Sequence, residues 1–134
     1  LRLDGVAIST IELMSKDSLH MTDEDRARIV AAVRVAAGGT PPPSGVVVLH
    51  GTDTLAQTGE SLHAALGRVS IPIILTGAMR PYEMKRSDAL QNLTEAVFAT
   101  GVLSPGVYCV AHGKALAFPG VVKDRDRGTF AKRS

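Results

Sequence analysis

Three small polar residues, Thr52, Asp53 and Thr54, directly follow a valine-rich stretch at positions 45–49. A short, continuous apolar run predicts a strand that is buried on both faces, as in a parallel sheet. Gly51 permits a sharp turn, and threonine and aspartate favour the first positions of a helix. A strand, a tight polar turn and a helix start form the geometry in which open α/β sheets place their ligand sites. The pattern therefore makes Thr52 and Asp53 candidate site residues.

The chemistry of this turn is set by the free N-terminus of the helix that it precedes. Unpaired backbone N–H groups and the positive end of the helix dipole favour negative charge there. Judged by residue type alone, Thr52 has two interpretations, and helix capping is a commoner role than catalysis. His50 ends the apolar stretch, and a single histidine in such a place is usually a satisfied core or hinge residue rather than a base.

The elements that must position this turn are predicted by alternating strand-like and helix-like segments. Thr22 and Asp25 fit a capping box at the first helix, and Gly38 and Gly39 end that helix. No dependable periodicity is present from His112 onward. The order of segments predicts a single-domain α/β fold, a right-handed, doubly wound, mostly parallel sheet of about four strands with flanking helices. The predicted strands are 6–13, 45–49, 71–75 and 106–111, and the helices are 22–37, 54–66 and one capped by Ser87 with Leu90, Leu93, Ala96 and Val97 on one side.

Composition narrows the range of partners. The formal net charge of +2 is too small to argue for nucleic acid, and no apolar stretch approaches the ~18 residues of a spanning helix. The single cysteine, Cys109, can form no internal disulfide, which fits a reducing compartment such as the cytoplasm. The histidines lack ligand spacing, so no metal site is predicted, and no cofactor is expected. Interleaved acids predict a solvated loop for the basic cluster Lys123, Arg125, Arg127, Lys132 and Arg133.

Two motifs carry a resemblance to a known family. The segment His50-Gly-Thr-Asp-Thr54 resembles the second signature of the bacterial-type L-asparaginases, and Gly77-Ala-Met-Arg-Pro81 is similar to another segment of that family at the right distance. The resemblance covers essentially the whole chain, which matches the middle and end of the family's N-terminal domain. It implies a Rossmann-like or flavodoxin-like fold and hydrolysis of the side-chain amide of L-asparagine to L-aspartate and ammonia.

The resemblance also implies roles for particular residues. Thr52, Asp53 and Lys123 match a catalytic Thr–Lys–Asp set, in which Asp53 also receives the α-amino group of the substrate. Amide hydrolysis needs a nucleophile, a group that takes its proton and donors for the oxyanion. Ser18 matches the serine that binds the substrate's α-carboxylate, and Ala78 lends a backbone carbonyl to the amide pocket. The alternatives are a surface role for Lys123 and a loop serine near a helix start for Ser18.

The chain departs from the family pattern at its beginning. The first signature, Thr-Gly-Gly-Thr-Ile, supplies the threonine usually assigned as primary nucleophile, and it is absent; Gly38-Gly39-Thr40 follows a helix and is no substitute. We therefore expect a domain that lacks the N-terminal strand and the C-terminal domain, and that alone hydrolyses asparagine poorly. A short, single-domain type of the family fits best. Three further family matches are assigned to loop and helix structure: Arg80, Asp88 and Asn92.

Other functions remain open at this stage. The chain also fits an ammonia-supplying, asparaginase-like subunit of a transfer-RNA-dependent amidotransferase, or a non-catalytic, oligomer-forming domain. A nucleotide-binding domain is disfavoured because no G-x-G-x-x-G or Walker pattern is present. L-Asparagine is the expected small-molecule partner, with neither nucleic acid nor a membrane. We expect a homo-oligomer, because the family completes its pocket across subunits and an open sheet edge favours association.

Overall fold

The computed structural model of the chain describes residues 3–66, 68–79 and 87–133. A single 3₁₀ turn, Ser18–His20, precedes the first helix. The elements that follow are α1 (Asp23–Ala37), β1 (Val46–Leu49), α2 (Leu55–Leu66), β2 (Pro72–Thr76), α3 (Ala89–Ala99), β3 (Gly106–Ala111), β4 (Lys114–Ala117), β5 (Val121–Asp124) and β6 (Thr129–Lys132). Within these ranges, no helix has the length and apolar character needed to cross a membrane.

The sheet has the order β1-β2-β3-β4, and a separate two-stranded hairpin is formed by β5 and β6. Strands β1, β2 and β3 are parallel, so their carboxyl ends lie at one edge, whereas β4 returns antiparallel to β3. Every residue of β2 is buried, as expected for a strand covered on both faces. The prediction of a single-domain α/β fold with a mostly parallel sheet is confirmed.

Alternate residues of β2 separate the two halves of the core. Ile73 and Leu75 pack in one cluster with apolar residues of α1 and α2, while Ile74 packs with Ala96 and Ala99 of α3. This alternation follows from the two-residue period of a strand. Helices therefore cover both faces of the sheet, and the edge formed by the strand ends stays accessible to loops.

Helix α1 begins and ends as the sequence predicts. The Asp25 N–H donates to Oγ1 of Thr22 (3.2 Å), and the Thr22 N–H donates to Oδ2 of Asp25 (3.0 Å), which completes the capping box. Three acidic residues occupy the first turn, where the helix dipole favours them, and Gly38 is the C-cap.

The predicted strand at 6–13 is wrong. That segment forms no strand, and Val6, Ile8 and Ile11 are exposed. Their β-branched side chains fit a strand, but a strand also needs a hydrogen-bonding neighbour, and none of the described residues pairs with this segment. The fourth strand of the sheet is instead β4, which the sequence did not reveal because its four residues, mostly exposed, form no continuous buried run like that of β2.

The start of α3 also differs from the prediction. Asp88, rather than Ser87, is the N-cap residue, although the Ser87 hydroxyl still accepts from the Ala89 N–H (3.1 Å). Leu90 was expected on the buried side but is 55% exposed. The buried side is formed by Asn92, Ala96, Val97 and Ala99, because a polar residue takes part in covering the sheet.

Candidate active site

Lys123 joins the turn after β1 to the β5–β6 hairpin. Its ammonium donates to Oγ1 of Thr52 (2.8 Å) and to Oδ1 of Asp53 (2.9 Å). Thr52 is buried, and the side chains of Lys123 and Asp53 are 16% and 27% exposed. The structure thus brings together a hydroxyl, an ammonium and a carboxylate in a partly water-excluded place, where charge interactions are stronger than in bulk water.

A second cation contacts the same carboxylate. Nη1 of Arg125 donates to Oδ1 of Asp53 at 3.0 Å, from a side chain that is 65% exposed. The hydrogen bond from Lys123, and after it that from Arg125, lowers the pKa of Asp53 below its ordinary value. Asp53 is therefore ionised at neutral pH, and two positive charges surround one negative charge beside the Thr52 hydroxyl.

The basic cluster is only partly the solvated loop that the sequence predicted, because Arg125 and Arg127 lie in an exposed turn whereas two of its lysines do not. Lys123 and Lys132 lie on β5 and β6, and the Lys132 ammonium donates to the carbonyls of Ala117 and Pro119. The contact of Arg125 with Asp53 was not predicted from the sequence. Arg125 lies in the exposed turn after β5, so its approach to Asp53 depends on the path of that turn, which no local pattern specifies.

Ser18 lies against the other side of the turn. Its hydroxyl oxygen accepts the Thr54 N–H (3.2 Å), and its carbonyl accepts from the Thr54 hydroxyl (2.8 Å). The serine is 1% exposed, and a Cβ at Gly51 would lie only 2.8 Å from its Oγ, which explains the glycine. In this arrangement the Ser18 hydroxyl oxygen accepts a hydrogen bond at the start of α2. The hydroxyl proton is the group that Ser18 can donate to a carboxylate.

The loop after β2 borders the turn that carries Thr52. Gly77 passes so near the turn that a Cβ there would overlap the carbonyl oxygen of His50 and lie 3.3 Å from Cγ2 of Thr52. Ala78 follows it and is half-buried. Ala78 therefore lies next to a residue that borders the turn. The role of its backbone carbonyl in binding the amide stays a prediction. Arg80 lies outside the described residues.

His50 is a satisfied buried residue, as its position predicted. Its Nδ1 lies 2.7 Å from the carbonyl oxygen of Gly51, and its Nε2 lies 2.7 Å from Oγ1 of Thr58. Because a carbonyl only accepts, Nδ1 carries the proton and Nε2 accepts from the Thr58 hydroxyl. Burial lowers the pKa of His50, so the ring is neutral at neutral pH. Its two hydrogen bonds hold the ring in place at the end of β1.

A polar network that the sequence did not suggest lies next to this site. His112 contacts both Asp88 (2.6 Å) and Thr129 (2.7 Å), and its N–H donates to Oδ1 of Asn92 (3.1 Å). Sequence reasoning assigned Asp88 and Asn92 to loop and helix structure and gave His112 no role. The missing signal is three-dimensional, because the network joins residues from α3, from the β3–β4 turn and from β6.

The described residues provide neither a metal site nor a reactive thiol. Among the described residues, no group of three or more His, Cys, Asp or Glu side chains is arranged to hold a metal ion. Cys109 is buried in β3, and burial raises the pKa of its thiol to about 12, so it is protonated at neutral pH. A neutral thiol is a poor nucleophile.

Fold and site together define a doubly wound α/β domain with a cluster of polar side chains at the carboxyl end of its first parallel strand. A sequence profile described as Asparaginase, N-terminal, matches residues 2–130. The chain belongs to the asparaginase family.

Three relatives illustrate the similarity. An L-asparaginase of Thermococcus kodakarensis is 35% identical over 133 residues, which are 99% of this chain and 40% of that protein. The solved structure of the thermostable L-asparaginase from the same organism has a TM-score of 0.88 at 32% identity, over 98% of this chain and 40% of the other. A glutamyl-tRNA(Gln) amidotransferase subunit of Methanococcus vannielii is 41% identical over 70 residues, 52% of this chain and 16% of that protein. The chain thus spans well under half the length of these relatives.

Proposed function

We propose that this chain is the site-bearing part of an amidohydrolase that converts L-asparagine to L-aspartate and ammonia. The observation that supports this proposal most strongly is the Lys123 ammonium, which lies 2.8 Å from the Thr52 hydroxyl and 2.9 Å from the Asp53 carboxylate. A hydroxyl and a carboxylate joined through a lysine, which can accept a proton once neutral, form the kind of set that activates a nucleophile. Family membership makes a side-chain amide the expected substrate.

The proposed reaction begins with a change in the role of Lys123. In the structure the lysine donates to Thr52, so it must be neutral before it can take the hydroxyl proton. In this proposal Thr52, and not the threonine of the first signature, is the nucleophile: its Oγ1 bonds to the amide carbon as its proton passes to Nζ of Lys123. The proton returns to the departing nitrogen, the carbon–nitrogen bond breaks, and ammonia leaves. Water cleaves the resulting ester and regenerates the Thr52 hydroxyl.

The remaining predicted residues are proposed to hold the substrate. Asp53 is ionised and would offer carboxylate lone pairs to an α-ammonium group, while the Ser18 hydroxyl, which borders the start of α2, would donate its proton to the α-carboxylate. Ala78 borders the turn where its carbonyl would meet the amide nitrogen. Such a substrate carries both charges, which matches a site with charges of both signs.

A second function uses the same site. Relatives that are subunits of glutamyl-tRNA(Gln) amidotransferases match over shorter stretches, one of them at 33% identity over 99 residues in Thermoplasma acidophilum. In this alternative the domain releases ammonia for a partner protein instead of into solution. A third possibility is a domain of the same fold that forms oligomers without catalysis.

Ammonia release separates these proposals. We expect the intact natural protein that contains residues 1–134 to release ammonia from L-asparagine without any partner. Release that requires a partner subunit of a transfer-RNA-dependent amidotransferase would favour the amidotransferase alternative. No release under either condition, together with no binding of L-aspartate in calorimetry, would leave only the non-catalytic domain. L-Glutamine, assayed in parallel, shows whether the site accepts one more methylene, which discriminates by about 10- to 200-fold in comparable pockets.

Self-association and location complete the proposal. Among the described strands, β1 has only β2 as a neighbour, and Leu49 at its end is 64% exposed. An open strand edge with exposed apolar side chains favours association, so we propose a homo-oligomer. Ultracentrifugation at micromolar concentration tests this proposal, and a purely monomeric species would refute it.

The proposed location is the cytoplasm, because the free thiol of Cys109 fits a reducing compartment. Fractionation of the source cells would test this location.

A further inference from the structure

We propose that His112 is a positioning residue that fixes the β5–β6 hairpin so that Lys123 reaches Thr52. The proposal concerns the geometry of the hairpin, and its catalytic consequence rests on the function proposed above. We use the term His112 network for four residues: His112, Asp88, Asn92 and Thr129.

The first observation is that the ring of His112 is held at both ends. Nε2 lies 2.6 Å from Oδ2 of Asp88, and Nδ1 lies 2.7 Å from Oγ1 of Thr129. Asp88 precedes α3, whereas Thr129 is the first residue of β6, so the ring spans two separate parts of the domain. A threonine hydroxyl can either donate or accept, so the bridge survives whether the ring is neutral or protonated.

The second observation is the backbone conformation of His112. It forms the turn between β3 and β4 with Gly113, and both residues have positive φ, at 53° and 76°. Asparagine and glycine fit such a turn best, and few other residues adopt this backbone conformation. A histidine retained in this conformation, with both ring nitrogens engaged, is consistent with a role for its side chain.

The third observation is that Asp88 and Asn92 connect the network to the loop after β2. The Asp88 carboxylate accepts from the Met79 N–H (3.0 Å) and from Nδ2 of Asn92 (3.0 Å). Asn92, which is 1% exposed, also donates to the Gly77 carbonyl (2.8 Å). The network therefore fixes the residues on both sides of Ala78 as well as the hairpin, and both borders of the site depend on it.

The hairpin itself explains why a second anchor is needed. Lys123 is paired with Phe130, and Asp124 is paired with Thr129. Phe130 is buried in the core at 2% exposure and holds one face of the hairpin. Val121 is also buried, at 1% exposure, and it lies on the same face as Phe130, so both apolar anchors hold the hairpin from one side. The His112–Thr129 contact, one residue away on the opposite face, prevents the rotation that would carry the Lys123 ammonium away from Thr52.

The test compares variants that remove the bridge with variants that keep it. Thr129→Val keeps the shape of the side chain but removes the hydroxyl, and Thr129→Ser keeps the hydroxyl. His112→Asn suits the left-handed backbone but is too short to bridge Asp88 and Thr129. Thr94→Val is the matched control, because the Thr94 hydroxyl bonds only to the Leu90 carbonyl of its own helix among the contacts described.

Two readouts are taken on the intact natural protein that contains this chain. The first is the rate of acetylation of each lysine by limiting acetic anhydride, followed by mass spectrometry. We expect Thr129→Val and His112→Asn to accelerate acetylation of Lys123 severalfold relative to Lys16, and Thr129→Ser and Thr94→Val to leave that ratio unchanged.

The second readout is steady-state kinetics. In Thr129→Val and His112→Asn we expect kcat to fall by about 10- to 100-fold with little change in KM, because displacement of a reacting group by about 1 Å has effects of that size.

Failure of this proposal can be distinguished from failure of the proposed function. An unchanged Lys123 ratio in both bridge-removing variants overturns the positioning role, whatever the activity. An equal rise at all lysines, with a lower free energy of unfolding, also overturns it, because the network would then only stabilise the fold. A selective rise at Lys123 in a protein that releases no ammonia supports positioning and rejects the amidohydrolase function alone.

Discussion

Nζ of Lys123 lies 2.8 Å from Oγ1 of Thr52, although 71 residues separate the two along the chain. The contact joins the end of β1 to the β5–β6 hairpin, and it is shared with the carboxylate of Asp53. Each of these residues has an ordinary structural role when considered alone. Their mutual contact in a partly buried place distinguishes a candidate catalytic set from a helix cap and a surface lysine.

The first prediction concerns the two arginines of the β5–β6 hairpin. We expect Arg125→Ala to raise the pKa of Asp53 and yet leave it below its ordinary value, because the hydrogen bond from Lys123 is the larger cause of the lowering. NMR titration of the Asp53 carboxyl carbon measures the shift. Arg127→Ala removes an equal charge from the same exposed turn and is the control. Equal shifts in the two variants would show that general charge, and not contact, sets the pKa.

The second prediction concerns His50. Burial holds its pKa below the ordinary value of 6.5, so the unfolded chain binds a proton at a higher pH than the folded chain does. The free energy of unfolding should therefore fall as the pH drops below about 6.5. We expect His50→Gln to reduce this dependence in urea titrations between pH 7 and pH 5. The control is His63→Gln on the exposed side of α2. An identical pH dependence in wild type and His50→Gln would contradict the account.

The third prediction concerns acid stability at the start of α1. The hydrogen bond from Lys16 (2.7 Å), followed by that from the Thr22 N–H, lowers the pKa of Asp25 from 3.8 to about 2. The stabilisation is therefore present above pH 3.8 and is lost as the pH falls towards 2. Lys16→Met should raise the pKa of Asp25 and reduce the loss of stability over this range. NMR titration of Asp25 checks this, and an unaltered pKa would rule out the Lys16 contact as the main cause.

The fourth prediction concerns a glycine inside α2. A Cβ at Gly59 would overlap the ring of Phe118, which is itself buried, whereas a Cβ at Gly101 would come no closer than 3.6 Å to a neighbouring atom. We expect Gly59→Ala to lower the free energy of unfolding by about 1–3 kcal/mol, the usual effect of overpacking, despite alanine's better helix propensity. Gly101→Ala should be nearly neutral. A stabilised Gly59→Ala variant would mean that α2 and Phe118 pack more loosely than the structure shows.

Much of the fold followed from local sequence signals. The Thr22–Asp25 capping box and the apolar run before His50 depend on neighbouring residues only, and both elements formed where expected. The segment 6–13 failed because strand formation depends on a partner that local composition does not specify. The strands β4, β5 and β6 were missed because four residues between glycine turns carry too little periodicity.

The candidate site was only partly accessible from sequence. Spacing and resemblance led to Thr52, Asp53 and Lys123, which the structure brings into contact, although their catalytic role stays a prediction. The His112 network was not accessible, because the contacts of His112 itself join residues 17 to 24 positions apart with no shared motif. Hydrogen bonds of that kind depend on how helix α3 and the hairpin pack, which no local pattern encodes.

The most direct test of the central claim is a double-mutant cycle on Thr52 and Lys123 in the intact natural protein that contains this chain. Thr52→Val and Lys123→Met each keep the approximate shape of the side chain, and Arg127→Ala is the control for charge. If the two residues act as one unit, each single variant should lower the kcat for ammonia release from L-asparagine by about a thousandfold or more, and the double variant should be no slower than the slower single one. Activity within a few fold of wild type in either single variant, or effects that multiply in the double variant, would contradict the account.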